Sequence, residues 1–318
     1  MKITLDISKL VEEGKLTAEE AERLKKLASA DTGTLAFNIL IGFGVVAIAS
    51  GAVALVAVPA MAMAMGLAMF AVGCAISLRR IAAWLVFGDI CLVVGALMFC
   101  AGVVVEGEGS LAAMLIVTAA LALASLAARS ILLMAFAVLA ASACLGARAG
   151  YSHATYSLAI FEPALTVVLF TALGYAAFAA SKRLSADYER VALAASRTSV
   201  LLVNFGFWVG SLWGDPLILL TGKQGPISRA MLEQAAIPAE AFGIAWALAL
   251  IAALIWGMRS NRRWLVNVVA VFGAIHFYTQ WFEKLGATPA SVVLGGLAML
   301  AAAWALRSFN RKTAAAQA

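Results

Sequence analysis

Two ionisable side chains stand in apolar surroundings where an ordinary sequence would place none. Asp89 lies eight residues into the run that begins at Ile81, which at the rise of a helix is about 12 Å along its axis. A carboxylate at that depth in lipid costs at least roughly 2.5–3.5 kcal/mol, so it marks either a functional group or a hydrogen bond between helices. The chemistry open to it is proton binding or gating. His276 is one of only 2 histidines and is followed by Tyr278, Gln280 and Glu283. His276, Gln280 and Glu283 share one helical face by their i, i+4, i+7 spacing, which would line either a polar outer vestibule or a seam between helices. Glu162 directly precedes Pro163 and is expected at an interface, near the start of an apolar run. Asn204, Asn38 and Asn267 fall inside apolar runs and are expected to form interhelical hydrogen bonds.

No other residues in the chain point to a reaction. A phosphate loop of the form G-x-x-x-x-G-K-[ST] is missing, as are the H-E-x-x-H zinc motif and a nucleophile elbow. Cys74, Cys91, Cys100 and Cys144 sit within apolar runs without C-x-x-C spacing and read as small apolar residues. Met61, Met63 and Met65 read as apolar filler rather than a metal relay. No catalytic residue, metal site or cofactor is therefore assigned. An enzyme of lipid-linked substrates would require Asp89, His276 and Glu162 to converge in one cleft.

The surrounding elements follow from composition. The chain is 64% hydrophobic and 13% charged, against about a quarter charged in soluble domains. Its net charge of +6 is not gathered into a basic face interleaved with aromatics, so nucleic acid is not an expected partner. The expected partner is a lipid bilayer. An all-α, polytopic membrane protein is expected, with spans near 35–57, 61–78, 81–104, 110–128, 130–147, 158–180, 198–214, 240–258, 264–283 and 289–306. A helix needs about 20 residues, and at least 17, to cross the hydrocarbon core, so the fifth and seventh runs are the shortest that qualify.

The basic residues orient these spans. With the N-terminus in the cytoplasm, all of the 23 Lys and Arg residues except Arg148, Lys223, Arg229 and Lys284 fall on the cytoplasmic side, as the positive-inside rule requires. Removing one span would invert every later loop, so ten spans with both ends inside is the expected topology. Trp84, Trp256, Trp264 and Trp304 fall near cytoplasmic ends, and Trp213 and Trp281 near outer ends, the depth that amphipathic rings prefer. No cleavable signal peptide is expected, because charged residues precede the first apolar run. Residues 182–197 read as a short amphipathic helix on the anionic leaflet. Residues 215–239 read as a structured outer loop rather than a lid or re-entrant piece. Gly44 and Gly51, Gly66 and Gly73, and Gly88 and Gly95 form seven-residue stripes, and Gly206 and Gly210 form a G-x-x-x-G; both patterns allow close helix approach.

Residues 1–33 form the expected cytoplasmic part, a charged helical hairpin, followed by a membrane bundle over 34–308 and a cytoplasmic tail over 309–318. Gly14 suits the end of a first helix, and Thr17 with Glu20 forms a T-x-x-E capping box for a second. Leu10, Gly14, Leu16, Thr17, Glu19 and Glu20 resemble the pattern of short helical-hairpin domains that bacteria attach to membrane and oligomeric proteins. That resemblance implies assembly, as a homo-oligomer or with a protein partner, through residues 1–33. The run from the stub into Phe37–Gly44, with Tyr278–Gly286 and Leu294–Leu300, resembles a bacterial family of multi-span membrane proteins, domain of unknown function two-one-five-seven. The resemblance implies a bacterial cytoplasmic membrane and carries over no functional residue. Two functions are expected from these features: permeation of a small solute involving Asp89, or a non-catalytic scaffold or sensor assembling through the hairpin.

Overall fold

The computed structural model describes Val11, Gly14 and residues 16–56, 58–79, 84–152, 155–217, 235–286 and 288–315. The elements, in chain order, are helices α1 (Ala18–Val56), α2 (Pro59–Arg79), α3 (Leu85–Glu106), α4 (Leu111–Ala128) and α5 (Ile131–Cys144), strands β1 (Arg148–Ser152) and β2 (Thr155–Ala159), then helices α6 (Pro163–Ser181), α7 (Ala186–Trp213), α8 (Ala239–Arg259), α9 (Arg263–Leu285) and α10 (Pro289–Ala315). Each expected apolar run coincides with one of these helices. Seven of them, α2, α3, α4, α6, α7, α8 and α9, are long and apolar enough to cross a membrane. Shorter apolar stretches occupy Phe37–Ala52 in α1, Ile131–Cys144 in α5 and Pro289–Ala301 in α10. Large apolar side chains such as Leu40, Phe43, Ile48, Leu55 and Leu78 are exposed. Helices that are apolar on every side need lipid or a large core around them.

Several boundaries differ from the sequence expectation, three of them at α1, α7 and the segment before α6. The helix opened by Thr17 does not stop before the apolar run at 35–57; α1 runs unbroken for 39 residues, about 58 Å, so the stub's second helix and that run are one helix. Residues 186–197 do not form a separate surface helix either, because α7 continues through them for 28 residues. Across 186–197 no Gly or Pro interrupts α7, and in α1 the glycine at the junction, Gly33, does not end the helix; in both cases backbone hydrogen bonding carries the helix out past its apolar part. The third difference is an antiparallel β-hairpin pairing Arg148 with Ala159 through Ser152 with Thr155, an exception to the all-α expectation. Tyr151, Thr155 and Tyr156 favour strands, and Pro163 sets the start of α6 at its first turn, where its missing N–H costs nothing. Helix α6 therefore begins at Pro163 rather than 158. Most of the outer segment 215–239, including residues 218–234, lies outside the described residues.

The chain divides into two compact units, 1–137 and 138–318, with the division inside α5. In the first unit, α2 and α3 lie antiparallel with their backbones touching. A Cβ on Gly66 would fall 2.5 Å from the Phe99 nitrogen, and one on Gly73 would fall 2.7 Å from the Gly88 carbonyl oxygen. A Cβ on Gly95 would fall 2.7 Å from the Gly66 carbonyl oxygen, and one on Gly102 would fall 2.8 Å from that of Pro59. The register thus pairs Pro59 with Gly102, Gly66 with Gly95 and Gly73 with Gly88, once every two turns, as the seven-residue stripes imply. Met63 fills the space over Gly102. The stripe on α1 behaves differently: Gly44 and Gly51 meet no atom within 4 Å, and it is Gly42 that receives Ile90 of α3. Among α2, α3 and α4 lies an apolar cavity of about 280 Å³ lined by Leu67, Phe70, Phe99, Leu121 and Ala124.

The second unit is held by larger side chains. Trp246, Leu250, Leu265, Val269 and Phe272 form its core, with Phe205, Trp208 and Ile275 packed against them. Gly206 and Gly210 meet different neighbours, Val167 and Pro163 of α6 for the first and Phe242 of α8 for the second. One turn of offset is enough to aim the two positions at two helices.

Candidate functional site

The polar groups of the second unit meet where α7, α8 and α9 converge. On α7, Asn204, Trp208 and Ser211 share a face by their i, i+4, i+7 spacing. Asn204 is 8% exposed. Its Nδ2 donates to the Val200 carbonyl at 2.8 Å, and its Oδ1 accepts from Trp246 Nε1 at 3.0 Å. A buried amide is costly unless bonded, and here both ends of the side chain are engaged. Trp246 of α8 is fully buried. Its other neighbours are rings of α9: His276 edge-on at 4.9 Å between centroids and Phe272 at 6.5 Å. A second cross-helix bond runs from Trp208 Nε1 to Thr279 Oγ1 at 3.2 Å.

His276 therefore lies in a seam. Its Nδ1 is buried and has no hydrogen-bond partner among the described residues. Gln280 lies against α8 at Gly243, where an added Cβ would come 3.4 Å from its side-chain oxygen; the glycine leaves it room. His276 and Gln280 do share a face, as their spacing implies, and that face is turned to α8. The Glu283 side chain lies outside the described residues. Asn267, farther down α9, is exposed, whereas Asn38 of α1 is buried.

Trp208, Trp246 and Thr279 were not among the sequence candidates. A signal for the tryptophans was present: of the 8 in the chain, these two are the ones that no membrane–water boundary accounts for. An indole in mid-span needs an acceptor for its N–H, and Asn204 and Thr279 supply them.

Glu162 occupies a separate place, at the N-terminus of α6. It is the N-cap residue with Pro163 following, and it is 2% exposed, so it is more deeply buried than an interfacial residue should be. The side chain that caps this helix comes from far along the chain. Asp215 is fully buried; its Oδ2 accepts from the Ala164 N–H and its Oδ1 from the Leu217 N–H, both at 2.7 Å. A carboxylate at a helix N-terminus meets the positive end of the dipole as well as free N–H donors. Asp215 is also bridged to Ile237 by a backbone pair. Gly214 makes the turn, with φ +72° and the Ile237 carbonyl 2.7 Å from where a Cβ would be. The sequence signal for this site was Gly-Asp-Pro just after an apolar run, a turn signature.

Asp89 belongs to the first unit, and its position differs from the sequence estimate. Helix α3 begins at Leu85 rather than Ile81, which leaves Asp89 about 6 Å along the helix instead of about 12 Å. Its side chain is exposed, and just before it Trp84 packs edge-on against Phe37 and Phe87. Asp89 falls in one compact unit, and His276 and Glu162 in the other.

At the start of α1 the capping box is formed. The Thr17 N–H donates to Glu20 Oε2 at 2.9 Å, and the Glu20 N–H donates back to Thr17 Oγ1 at 3.2 Å. These bonds favour the Glu20 carboxylate and hold its pKa below the usual 4.5. Gly14, at φ +68°, donates its N–H to the Val11 carbonyl at 3.0 Å, the bond expected where a helix ends. The rest of the expected first helix lies outside the described residues.

Comparison with known proteins adds no relative: no family model, no curated protein and no solved structure matches the chain.

Proposed function

We propose that this chain is a non-catalytic membrane scaffold or sensor, with ten spans and both ends in the cytoplasm, that assembles through its N-terminal hairpin. The observation that carries this reading is the unbroken helix Ala18–Val56. At about 58 Å it is nearly twice the ~30 Å hydrocarbon thickness. A charged stub bearing Glu19, Glu20, Glu22 and Arg23 is thereby joined by continuous helix to an apolar segment, so a partner held by the stub would act directly on the first span. The buried polar side chains support the same reading, since Asn204, Trp208, Trp246 and Thr279 bind one another across helices. The membrane is proposed to be a bacterial cytoplasmic membrane, on the strength of the basic asymmetry and of the resemblance to domain of unknown function two-one-five-seven. Reporter fusions after Arg80, Arg129, Ser185, Ser260 and Ala318 should all report cytoplasm, and those after Glu108, Ala154 and Ala287 the opposite side; one inverted pair removes the ten-span frame.

Permeation of a small solute is the second reading. His276 favours it, as an imidazole in a polar seam with one nitrogen unpartnered among the described residues, and Asp89 remains a charged group on a spanning helix. Proteoliposome flux that falls at least tenfold in both His276→Gln and Asp89→Asn would support it. Flux equal to that of empty liposomes would remove it.

A further inference from the structure

We propose that the end of the second unit formed by α6, α8 and α9 binds the phosphate of an anionic phospholipid headgroup through Lys182, Arg262 and Arg263, with Arg197 beside them. The inference rests on this end lying at a membrane surface, as the ten-span reading has it.

The cations here converge instead of spreading out. Lys182 Nζ lies 4.8 Å and the Arg262 guanidinium 4.5 Å from the centre of the same ring, Phe178. Arg262 also approaches Trp256 at 5.8 Å, and Phe178 meets Trp256 edge-on at 5.8 Å between centroids. Arg197 lies 5.3 Å from the Trp264 ring. Cation–π contacts of this kind hold the heads in place but do not neutralise them. Between Arg262 and Trp264 in the chain, Arg263 has Nε and Nη2 buried with no acceptor among the described residues.

Among the described residues, nearby acids do not balance these charges. The acidic residues of the adjoining 182–197 segment are Asp187, which pairs with Arg190 at 2.6 Å, and Glu189, which is exposed. The first turn of α9 holds no acidic residue, and Arg262 is its N-cap. Two arginines at a helix N-terminus oppose the helix dipole, whereas an anion there would meet both the dipole and the side chains. The exposed Arg262 guanidinium carries parallel N–H donors, the geometry that grips a phosphate with two bonds. The aromatic rings argue for a lipid as the source of that phosphate. Trp256 is 49% exposed beside the cations, and exposed indoles in membrane proteins sit at headgroup depth.

The test is native mass spectrometry of the purified full-length protein released from nanodiscs of phosphatidylglycerol mixed equally with phosphatidylcholine. The wild type should retain phosphatidylglycerol over phosphatidylcholine by about fivefold or more. Arg263→Gln and Arg262→Gln should each bring that ratio near one, and Arg263→Lys should leave it at about twofold. Arg79→Gln, which removes an exposed cation at the end of α2, should not change it. If Arg263→Gln loses its helical circular dichroism, Arg262→Gln decides, because that side chain is exposed. No preference in the wild type overturns the proposal, and so does an equal loss in Arg79→Gln, which would mean a diffuse charge effect. Displacement of the lipid by millimolar inorganic phosphate would identify a free-phosphate site and overturn the lipid assignment. Carbonate extraction of the same membranes separates the two levels: a chain that resists extraction but shows no lipid preference lacks only this site, whereas a chain released into solution fails the membrane reading itself.

Discussion

The two units hold their helices together in opposite ways. In residues 1–137 the helices α2 and α3 touch backbone to backbone, and glycine on both sides is what allows it. In residues 138–318 the corresponding work falls to Trp246, Phe272, Phe205 and Trp208, with hydrogen bonds from the two indoles. Lipid offers little hydrophobic drive for helix association, so both arrangements must gain from close packing or from polar bonds. The glycine pair brings backbone against backbone, with apolar side chains such as Met63, Leu92 and Ile76 filling in around it. The aromatic seam contains an imidazole nitrogen without a partner among the described residues, and so holds a group whose bonding can change.

That contrast can be broken by substitution. The largest effect should come from Gly95→Leu, which places a side chain where even a Cβ would lie 2.5 Å from the Phe70 nitrogen. Overpacking of this severity should cost about 3 kcal/mol or more, read as loss of folded protein in a denaturant titration in detergent. Gly44→Leu should be within about 0.5 kcal/mol of wild type, since Gly44 faces open space; equal losses would show that the α2–α3 contact is not special.

In the second unit, Trp246→Phe keeps an aromatic ring but removes the donor to Asn204. It should destabilise by about 1–2 kcal/mol, the cost of a buried acceptor left unmade. A double-mutant cycle with Asn204→Ala should recover a coupling of roughly 0.6 kcal/mol or more; zero coupling would mean that the bond adds nothing to packing. Asp215→Asn should cost about 1 kcal/mol or more, because it leaves the shape but its amide can accept only one of the two backbone N–H bonds and sets an NH2 against the other donor. Hydrogen exchange at Ala164 is the local readout.

The smallest effect concerns Glu20. Its pKa is lower in the folded chain than its usual 4.5, owing to the Thr17 hydrogen bonds. Its contribution is therefore fully present above the unfolded value and disappears as pH falls through the folded one. The Thr17 amide should lose protection below about pH 4.5 relative to its neighbours, and Glu20→Gln should flatten that dependence.

The division between what the sequence revealed and what it concealed follows the range of each interaction. Apolar runs, the capping box and the seven-residue glycine stripes are local patterns, and the helices and the α2–α3 register follow from them directly. Helices α3 and α6 start at Leu85 and Pro163, later than the apolar runs at 81 and 158, because hydropathy averages over a window, while helix starts depend on single residues such as Pro163. Hydropathy likewise could not reveal that α1 and α7 run on into charged segments, since a helix ends where its backbone bonding stops and not where its polarity changes. The pairings Asn204–Trp246 and Asp215–Ala164 join positions 42 and 51 residues apart, and a single sequence holds no record of such contacts. His276 and Gln280 were found by spacing; their partners on α8 were not.

The central claim is that the hairpin at the start of α1 assembles the protein. Mass photometry of the full chain and of a chain lacking residues 1–30, each in nanodiscs of the same size, tests it directly. The full chain should occupy nanodiscs as two or more copies and the shortened chain as one. Equal copy numbers in the two preparations would contradict the claim.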